Sequence, residues 1–352
     1  MSQETSTPTL VKETKSKIKV DFEGKLSSKT RWLLKLQTSN FWVDKVWFLV
    51  RFILLIGISY TILSPFIVRI CQSFMAREDF TDMTVSLIPK NFSLDIYKYL
   101  ILENDYFIAM RNTAFLSLIC AVIQTFACCM IGYGLSKFKF RGKKLLMFFV
   151  ILIMVIPPNT LRLSLMQHFS SFDIFTVMSW NYKGPIQLLT GSTLQLTNTY
   201  WPLVILSAIG CGFKNSLYIF MMLQFFKGVP DELEESAYVD GSGPFRTFVQ
   251  IILPLTVPMM VTIFLFSFSW QWTDEFYTGL FLRGSTVKTI KILSNIYGTI
   301  PPSLQSTSAG HVLYESAIRN TAGMMIIAPL IVVYLFGQKS LVQGIERSGI
   351  VG

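Results

Sequence analysis

The residues whose types and spacing most clearly indicate chemistry lie in a polar segment, 227–249, between two apolar stretches. Pro230 is followed by four carboxylates within five residues: Asp231, Glu232, Glu234 and Glu235. Proline suits the first position of a helix, and acidic side chains are favoured near the positive end of the helix dipole. We therefore predict a short acidic helix here, whose chemistry is the docking of another protein surface.

The predicted helix also carries a face of small side chains. Leu233, Ala237 and Asp240 share one face at helical spacing, with Ser236 alongside, so that another surface could approach closely. Gly241 can adopt the left-handed conformation that commonly ends a helix. The docking element is thus expected to end at Gly241.

A second helix is predicted directly after this corner. Either Ser242 or Gly243 can cap it, and Pro244 suits its first position. The alternative for the whole segment is an ordinary amphipathic connector on the lipid surface. Four acids fit that alternative poorly, because anionic headgroups would repel them.

Lys214 lies inside an otherwise apolar stretch, 201–226. If this stretch is one helix, Lys214 lies near the middle of the bilayer, where a charge costs roughly 3 kcal/mol unless it faces water or a partner. A role on a substrate or proton path then follows. If the segment 210–212 instead forms a corner between a short helix and the true span, Lys214 only marks the outer end of that span. The sequence leaves both interpretations open.

Other side chains allow both a binding and a packing interpretation. Trp272 and Asp274, together with Trp270, could stack on and hydrogen-bond a sugar, while anchoring at the membrane interface is the competing interpretation. Small residues recur at every fourth position of the 201–226 stretch: Ala208, Gly212 and Ser216. This spacing favours close helix packing in membranes over a functional role.

The chain shows no pattern of a catalytic or metal site. His168 and His311 are far apart and lack neighbouring cysteines or paired carboxylates, so neither is assigned a metal or catalytic role. The pair Gly142-Lys143 lacks the upstream glycine and the following Ser or Thr of a phosphate-binding loop. We therefore expect no cofactor and no ATP hydrolysis by this chain.

The composition indicates which elements hold these residues. Of 352 residues, 51% are hydrophobic and only 15% are charged, against about 25% in soluble domains. The apolar residues fall in blocks of roughly 20, which cross about 30 Å of hydrocarbon as helix. We predict an all-α polytopic membrane protein with six transmembrane helices, near 46–70, 112–136, 145–168, 201–226, 250–272 and 317–338.

The positions of the basic residues predict the orientation of these spans. Ten of the 31 Lys and Arg lie in residues 1–51, and five more lie between Lys137 and Lys144. Short basic segments stay in the cytoplasm, so both termini and the 227–249 loop are predicted to be cytoplasmic. Residues 1–44 are predicted to be a mostly disordered basic tail on anionic lipid, and 45–352 the transmembrane domain. RNA binding by the tail is the minor alternative, and we expect no nucleic-acid partner.

The segment 227–258 resembles the signature loop of binding-protein-dependent ABC importer permeases. That loop reads Glu-Ala-Ala, three residues, Gly, nine residues, Ile, one residue, Leu-Pro. The matching residues here are Glu235, Ser236, Ala237, Gly241, Ile251, Leu253 and Pro254, with the spacing kept throughout. A weaker similarity over 45–352 points to the sugar-importer branch, from which the basic tail and an extended segment at 169–198 depart.

The resemblance implies the type I ABC importer permease fold and a role for each residue of the loop. Glu235 would pair with a basic group of a cytoplasmic ATPase, Ala237 and Gly241 would permit close seating, and Asp240 would fix the corner. The implied partners are a second permease subunit, an ATPase dimer that binds the ATP, and an external substrate-binding protein. The implied cargo is a sugar or oligosaccharide.

Two other functions compete with this one. An ion-coupled secondary transporter would need buried ionisable residues in several spans, and only Lys214 qualifies. A non-transporting membrane anchor could use the same acidic loop to recruit a cytoplasmic protein. The dependence of uptake on ATP and the presence of a bound ATPase separate these alternatives.

Overall fold

The computed structural model describes residues 39–173, 184–282, 291–296 and 309–349 of the chain. These residues are helical, apart from loops and two isolated antiparallel bridges, Met75↔Phe92 and Phe172↔Leu194. The helices in chain order are α1 (Ser39–Ser73), α2 (Asp95–Lys98), α3 (Tyr106–Lys137), α4 (Lys143–Val155), α5 (Arg162–Ser170), α6 (Pro185–Thr190), α7 (Trp201–Ala208), α8 (Asn215–Lys227), α9 (Glu232–Val239), α10 (Pro244–Thr247), α11 (Leu253–Trp272), α12 (Phe276–Phe281), α13 (Leu293–Ile296) and α14 (Ala309–Gly349). The 3₁₀ segments are Arg77–Phe80 and Pro158–Leu161, and the π segments are Tyr99–Glu103 and Phe248–Ile252.

Four of the described helical segments are long and apolar enough to cross a membrane: Lys45–Ser73, Tyr106–Lys137, Pro244–Trp272 and Val312–Lys339. A fifth is obtained if α4 and the following Pro158–Ser170 count as one span, although they are bent by 99°. The bend lies at Pro157 and Pro158, which cannot continue the backbone hydrogen bonding of α4. These segments confirm an all-helical membrane protein and match five of the six predicted spans.

The fourth predicted span, 201–226, is not one continuous helix. Gly210 (φ +78°) and Lys214 (φ +63°) are both left-handed and separate α7 from α8. Left-handed residues cannot continue a right-handed helix, so the segment 210–212 forms a corner between α7 and α8. The small residues at every fourth position therefore share no helix face; Ala208 is exposed, whereas Gly212 and Ser216 are buried.

The predicted basic tail lies, up to residue 38, outside the described residues. Helix α1 begins at Ser39, six residues before the predicted start of the transmembrane domain at residue 45. Contacts divide the chain into two units, Met1–Ile67 and Val68–Gly352. The described part of the first unit is the larger part of α1, whose large apolar side chains are mostly exposed, as expected of a helix that is apolar on all sides and lies in lipid.

Helix α3 lies at the centre of the second unit. It packs against α7, α8 and α11, and α11 packs in turn against α14. Fourteen of the 32 residues of α3 are buried, and they point in several directions around the helix axis. The segments that hold the acidic loop, α8 before it and α10–α11 after it, are therefore both packed on this one central helix.

Candidate functional site

The acidic helix of the loop is α9 (Glu232–Val239), and it ends as the sequence predicted. Gly241 is left-handed (φ +81°), and its N–H donates to the carbonyl oxygen of Tyr238 at 3.0 Å. The N–H of Ser242 donates to the carbonyl oxygen of Ala237 at 2.9 Å. These two bonds form a Schellman motif, which satisfies carbonyl groups that the end of the helix leaves without partners. The left-handed conformation predicted for Gly241 is therefore the one observed at the end of α9.

The second helix of the loop also begins where predicted. Of the two candidate caps, Gly243 is the N-cap residue, in extended conformation, and Pro244 takes the first helical position of α10. The chain then passes through the π segment Phe248–Ile252 into α11 without leaving helical conformation. Leu253 and Pro254 of the signature pattern are the first two residues of α11. The wide π turn ends at Ile252, two residues before Pro254, which has no N–H to donate.

Lys137, the last residue of α3, connects a membrane span to the beginning of α9. Its Nζ donates to the carbonyl oxygen of Val229 and to Oδ1 of Asp231, both at 2.6 Å, and lies 3.8 Å from Oε1 of Glu234. Only 8% of the Lys137 side chain is exposed. We call Lys137, Val229, Asp231 and Glu234 the anchor cluster. Sequence reasoning counted Lys137 only as a topology signal, because its partners lie more than 90 positions away.

The charges of the anchor cluster perturb one another. Lys137 lowers the pKa of the exposed Asp231 carboxyl by hydrogen bonding and charge attraction. Glu234 is only 7% exposed; burial raises its pKa, and the nearby Lys137 partly opposes that shift. Oε1 of Glu234 has no hydrogen-bond partner. Glu234 is therefore a buried carboxyl held beside a buried cation, and sequence reasoning did not single it out.

An aromatic cluster lies next to the anchor cluster. The ring of Tyr133, one turn before Lys137 on α3, lies 4.6 Å from Phe248, 5.4 Å from Phe226 and 5.6 Å from Phe138, measured between centroids. These rings come from the π segment before α11, from α8 and from the residue after α3. Edge-to-face and tilted packing of this kind holds the surrounding helix ends in fixed relative positions. The helix ends that support α9 are therefore held together as one rigid unit.

The two faces of α9 differ from the predicted arrangement. Ala237 is only 4% exposed and is buried within this chain, so the predicted direct seating of a partner on Ala237 requires correction. Its small side chain instead lets α9 lie close to the rest of the subunit. Glu235, Ser236 and Asp240 are exposed, as is Leu233. These exposed residues form the surface that is free to meet another protein.

The substrate-path candidates do not form one site. The Nε1 of Trp272 donates to the carbonyl oxygen of Ile326 at 2.9 Å, and the ring is buried in the core. The buried Asp274 carboxylate accepts the N–H groups of Tyr277 and Thr278 and so caps α12. Both side chains are thus engaged inside the subunit, and their predicted contact with substrate requires correction.

Lys214, the third substrate-path candidate, lies against the ring of Trp270. It is exposed at the N-terminus of α8, with Nζ 5.2 Å from the ring centroid of Trp270 and 5.5 Å from that of Phe213. These distances allow cation–π contact. A lysine and an exposed indole thus lie together beside the break between α7 and α8.

A buried polar network, absent from the sequence predictions, holds this break. Nε2 of Gln124 on α3 donates to Oγ of Ser207 at 3.1 Å, and Oγ of Ser267 on α11 donates to Oε1 of Gln124. Nδ2 of Asn215 donates at 3.0 Å to the carbonyl oxygen of Ser207, near the end of α7. In a membrane protein a broken span must satisfy its backbone groups internally, and the Asn215 side chain does so for the Ser207 carbonyl oxygen.

No group of three His, Cys, Asp or Glu that could hold a metal ion occurs in the described part of the chain. The anchor cluster and the exposed surface of α9 therefore offer docking chemistry, since they combine exposed carboxylates with a rigid attachment to α3. The Lys214–Trp270 pair is a separate exposed site.

Comparison with known proteins gives consistent matches. The family described as "binding-protein-dependent transport system inner membrane component" matches residues 125–347. A polygalacturonan/rhamnogalacturonan transport system permease of Bacillus subtilis (strain 168), YtcP, is 27% identical over 292 residues, 82% of this chain and 92% of that protein. A maltodextrin transport system permease of Streptococcus pneumoniae (strain ATCC BAA-255 / R6), MalD, is 27% identical over 298 residues, 85% of this chain and 93% of that protein.

The fold is similar to that of a solved structure. One chain of a bacterial ABC transporter involved in the import of the acidic polysaccharide alginate superimposes with a TM-score of 0.62, covering 84% of this chain and 97% of that chain. The sequence identity in this match is 20%, so the likeness concerns the fold alone.

Proposed function

Because the chain belongs to the family of binding-protein-dependent transport system inner membrane components, and is a multi-pass permease rather than an enzyme, we propose that its cargo is a sugar or oligosaccharide and that α9 couples it to a partner ATPase. The cargo is supported by the relatives named for polygalacturonan and maltodextrin transport, which align over more than four fifths of this chain. Sugar import in this family is driven by ATP that the partner binds.

The arrangement of α9 carries the coupling proposal. One side of this helix is fastened to the end of α3 through Lys137, while Glu235, Ser236 and Asp240 remain exposed. We infer that Glu235 pairs with a basic group of the ATPase, that Ser236 and Asp240 line the contact, and that Gly241 forms the corner. Ala237, on the buried face of α9, supports the same contact by letting α9 pack closely on its own subunit.

The route of the motion follows from the attachments of α9. The helix is bound to α3 through the anchor cluster and continues through α10 and the π segment into α11, where Leu253 and Pro254 lie. Helices α3 and α11 also pack directly on each other. A displacement of α9 by the ATPase would therefore move both central helices as one body, which is the rigid-body rocking that alternating access requires.

The proposed assembly places this subunit in the membrane together with three kinds of partner. Six spans of the type I importer fold result if α7 and α8 together make the fourth crossing, within a transmembrane domain of residues 45–352. The partners are a second permease subunit, a cytoplasmic ATPase dimer and an external substrate-binding protein. Both termini and the 227–249 loop lie in the cytoplasm, and the basic tail of residues 1–44 lies on anionic lipid.

The coupling role is tested by reversing one charge on α9. We expect Glu235→Arg to abolish ATP-dependent saccharide uptake and co-purification of the ATPase, while the permease remains in the membrane. Glu275→Arg makes the same change beyond the far end of α11 and serves as the control. Wild-type uptake by the Glu235→Arg protein would count against the docking role.

The class of transporter is tested in the same preparation. Uptake that survives an ionophore but is lost on ATP depletion supports the ATP-driven importer. Uptake that is lost with the ionophore points to an ion-coupled secondary transporter instead. Recruitment of a cytoplasmic protein without any solute uptake points to a membrane anchor.

A further inference from the structure

We propose that Lys214 and Trp270 bind an acidic saccharide, with the Lys214 ammonium pairing a sugar carboxylate and the Trp270 indole packing against the sugar ring. The inference rests on the proposed function of saccharide import and specifies the class of saccharide. It concerns the exposed site at the break between α7 and α8, which is distinct from the surface of α9.

The depth of Lys214 is the first argument. Helix α8 has 13 residues, and at about 1.5 Å per residue it extends only about 20 Å. The hydrocarbon core of a bilayer is about 30 Å thick. With the basic Lys227 end of α8 at one interface, Lys214 at the other end of the helix lies within the hydrocarbon depth. A cation at this depth is expected to face a water-filled path or a specific partner.

The missing counter-charge is the second argument. Lys214 makes no ion pair with any of the described residues, and its Nζ instead lies over the rings of Trp270 and Phe213. Other lysines of this unit have carboxylate partners, such as Lys291 with Asp105. An anionic ligand would supply the charge that Lys214 lacks, whereas a neutral sugar would leave it uncompensated.

The exposed indole is the third argument. Trp270 is 45% exposed, while Trp272 on the same helix is buried. An exposed indole offers a flat apolar surface, and the C–H face of a pyranose ring packs on such a surface. The indole and the ammonium therefore recognise the two halves of a uronic acid, its ring and its carboxylate.

The surroundings of Lys214 and Trp270 also favour the binding of an anion. Lys214 is the N-cap residue of α8, where the unpaired N–H groups of the helix give a positive potential. Broken spans whose half-helix begins at membrane depth bind anionic substrate groups in other transporters. The polar network of Gln124, Ser207 and Asn215 keeps this break in place.

The test uses the complete transporter with its ATPase and binding protein, reconstituted in proteoliposomes. The probes are labelled trigalacturonate and the same trisaccharide with its carboxyl groups reduced to alcohols. We expect Lys214→Gln to lower trigalacturonate uptake at least tenfold and uptake of the reduced sugar less than twofold. Lys214→Arg should restore most of the trigalacturonate uptake, and Lys98→Gln, at a lysine exposed outside this site, should leave it unchanged.

A second measurement asks whether the site faces water. We expect Lys214→Cys to react with a membrane-impermeant thiol reagent, above the background of the native cysteines, and trigalacturonate to slow that reaction. A thiol that the aqueous reagent never reaches, or that trigalacturonate does not protect, would overturn the inference and indicate contact with lipid or another subunit.

The outcomes separate this inference from the proposed function. If the wild type imports only the reduced sugar, or if Lys214→Gln imports trigalacturonate like the wild type, the acidic-saccharide site is refuted while saccharide import stands. If the wild type imports neither saccharide, the proposed cargo itself fails, and this inference fails with it.

Discussion

Lys137 and Asp231, 94 positions apart in the chain, are joined by an ion pair in which Nζ lies 2.6 Å from Oδ1. The two partners differ in environment, because the lysine side chain is almost completely buried while the aspartate is mostly exposed. The buried cation is therefore the centre of the anchor cluster, and it holds the start of α9 against the end of α3.

Replacing Lys137 by Met is expected to loosen α9. The variant keeps the length of the side chain but removes the cation beside the buried Glu234 and the donor to the Val229 carbonyl. Leaving a buried charge without its partner costs several kcal/mol in a full interior, and we expect about 1–3 kcal/mol here, because Asp231, one of the two carboxylates beside Lys137, is exposed to solvent. Amide hydrogen exchange in residues 229–240 should become about ten- to one hundredfold faster. Lys139→Met, at an exposed lysine two residues later, is the control, and equal exchange in both variants would contradict the anchor role.

Substituting Gly241 by Ala is expected to weaken the corner of the loop. A side chain at φ +81° is strained by about 1–2 kcal/mol, although the space around Gly241 is open. Gly243→Ala is a matched control, because that glycine is also in open space but has an extended backbone (φ −77°) that alanine adopts freely. We expect lower ATP-dependent uptake and faster amide exchange around residue 241 in the first variant only. Indistinguishable variants would show that left-handed geometry is not what the loop requires.

Gln124→Leu is expected to destabilise the break between α7 and α8. Leucine is similar in size, but it removes the donor to Ser207 and the acceptor for Ser267, and a buried hydroxyl left without an acceptor, as Ser267 would be, costs about 1–3 kcal/mol. Thermal unfolding in detergent should therefore occur at a lower temperature than for the wild type. Gln167→Leu, at an exposed glutamine of α5, should leave the unfolding temperature unchanged. An unchanged midpoint in the Gln124 variant would mean that the network does not stabilise the break.

Glu234 is expected to make the stability of α9 depend on pH. Burial raises the pKa of its carboxyl above the ordinary value of 4.5. At any pH between 4.5 and this raised pKa, the carboxyl therefore holds a proton while α9 is packed and releases it when α9 opens. The packed state therefore binds more protons in that window, and its stability falls as pH rises through it and levels off above it. Amide exchange of α9, corrected for the intrinsic effect of pH, should show this decrease. Glu234→Gln should abolish it, and a variant with the same pH dependence as the wild type would assign the effect to another group.

Much of the loop could be predicted from the sequence because its determinants are local. The left-handed glycine, the proline at the first helical position and the acids of the first turn each act within a few residues of their own position. The membrane spans could be predicted equally well, since they depend on the length and composition of apolar blocks. The sequence left open whether 201–226 is one helix, because apolarity does not report the backbone conformation of Gly210 and Lys214.

The sequence by itself determined that the chain is an all-helical membrane protein and where its acidic helix turns at Gly241. Only the tertiary structure decided which surfaces are occupied: Ala237 and Trp272 are buried, Lys137 holds Asp231, and Lys214 meets Trp270. These contacts join residues that lie up to about 94 positions apart, so they depend on how the helices pack around α3. Local propensity specifies a helix and its ends, whereas the partner of each buried charge is specified by packing.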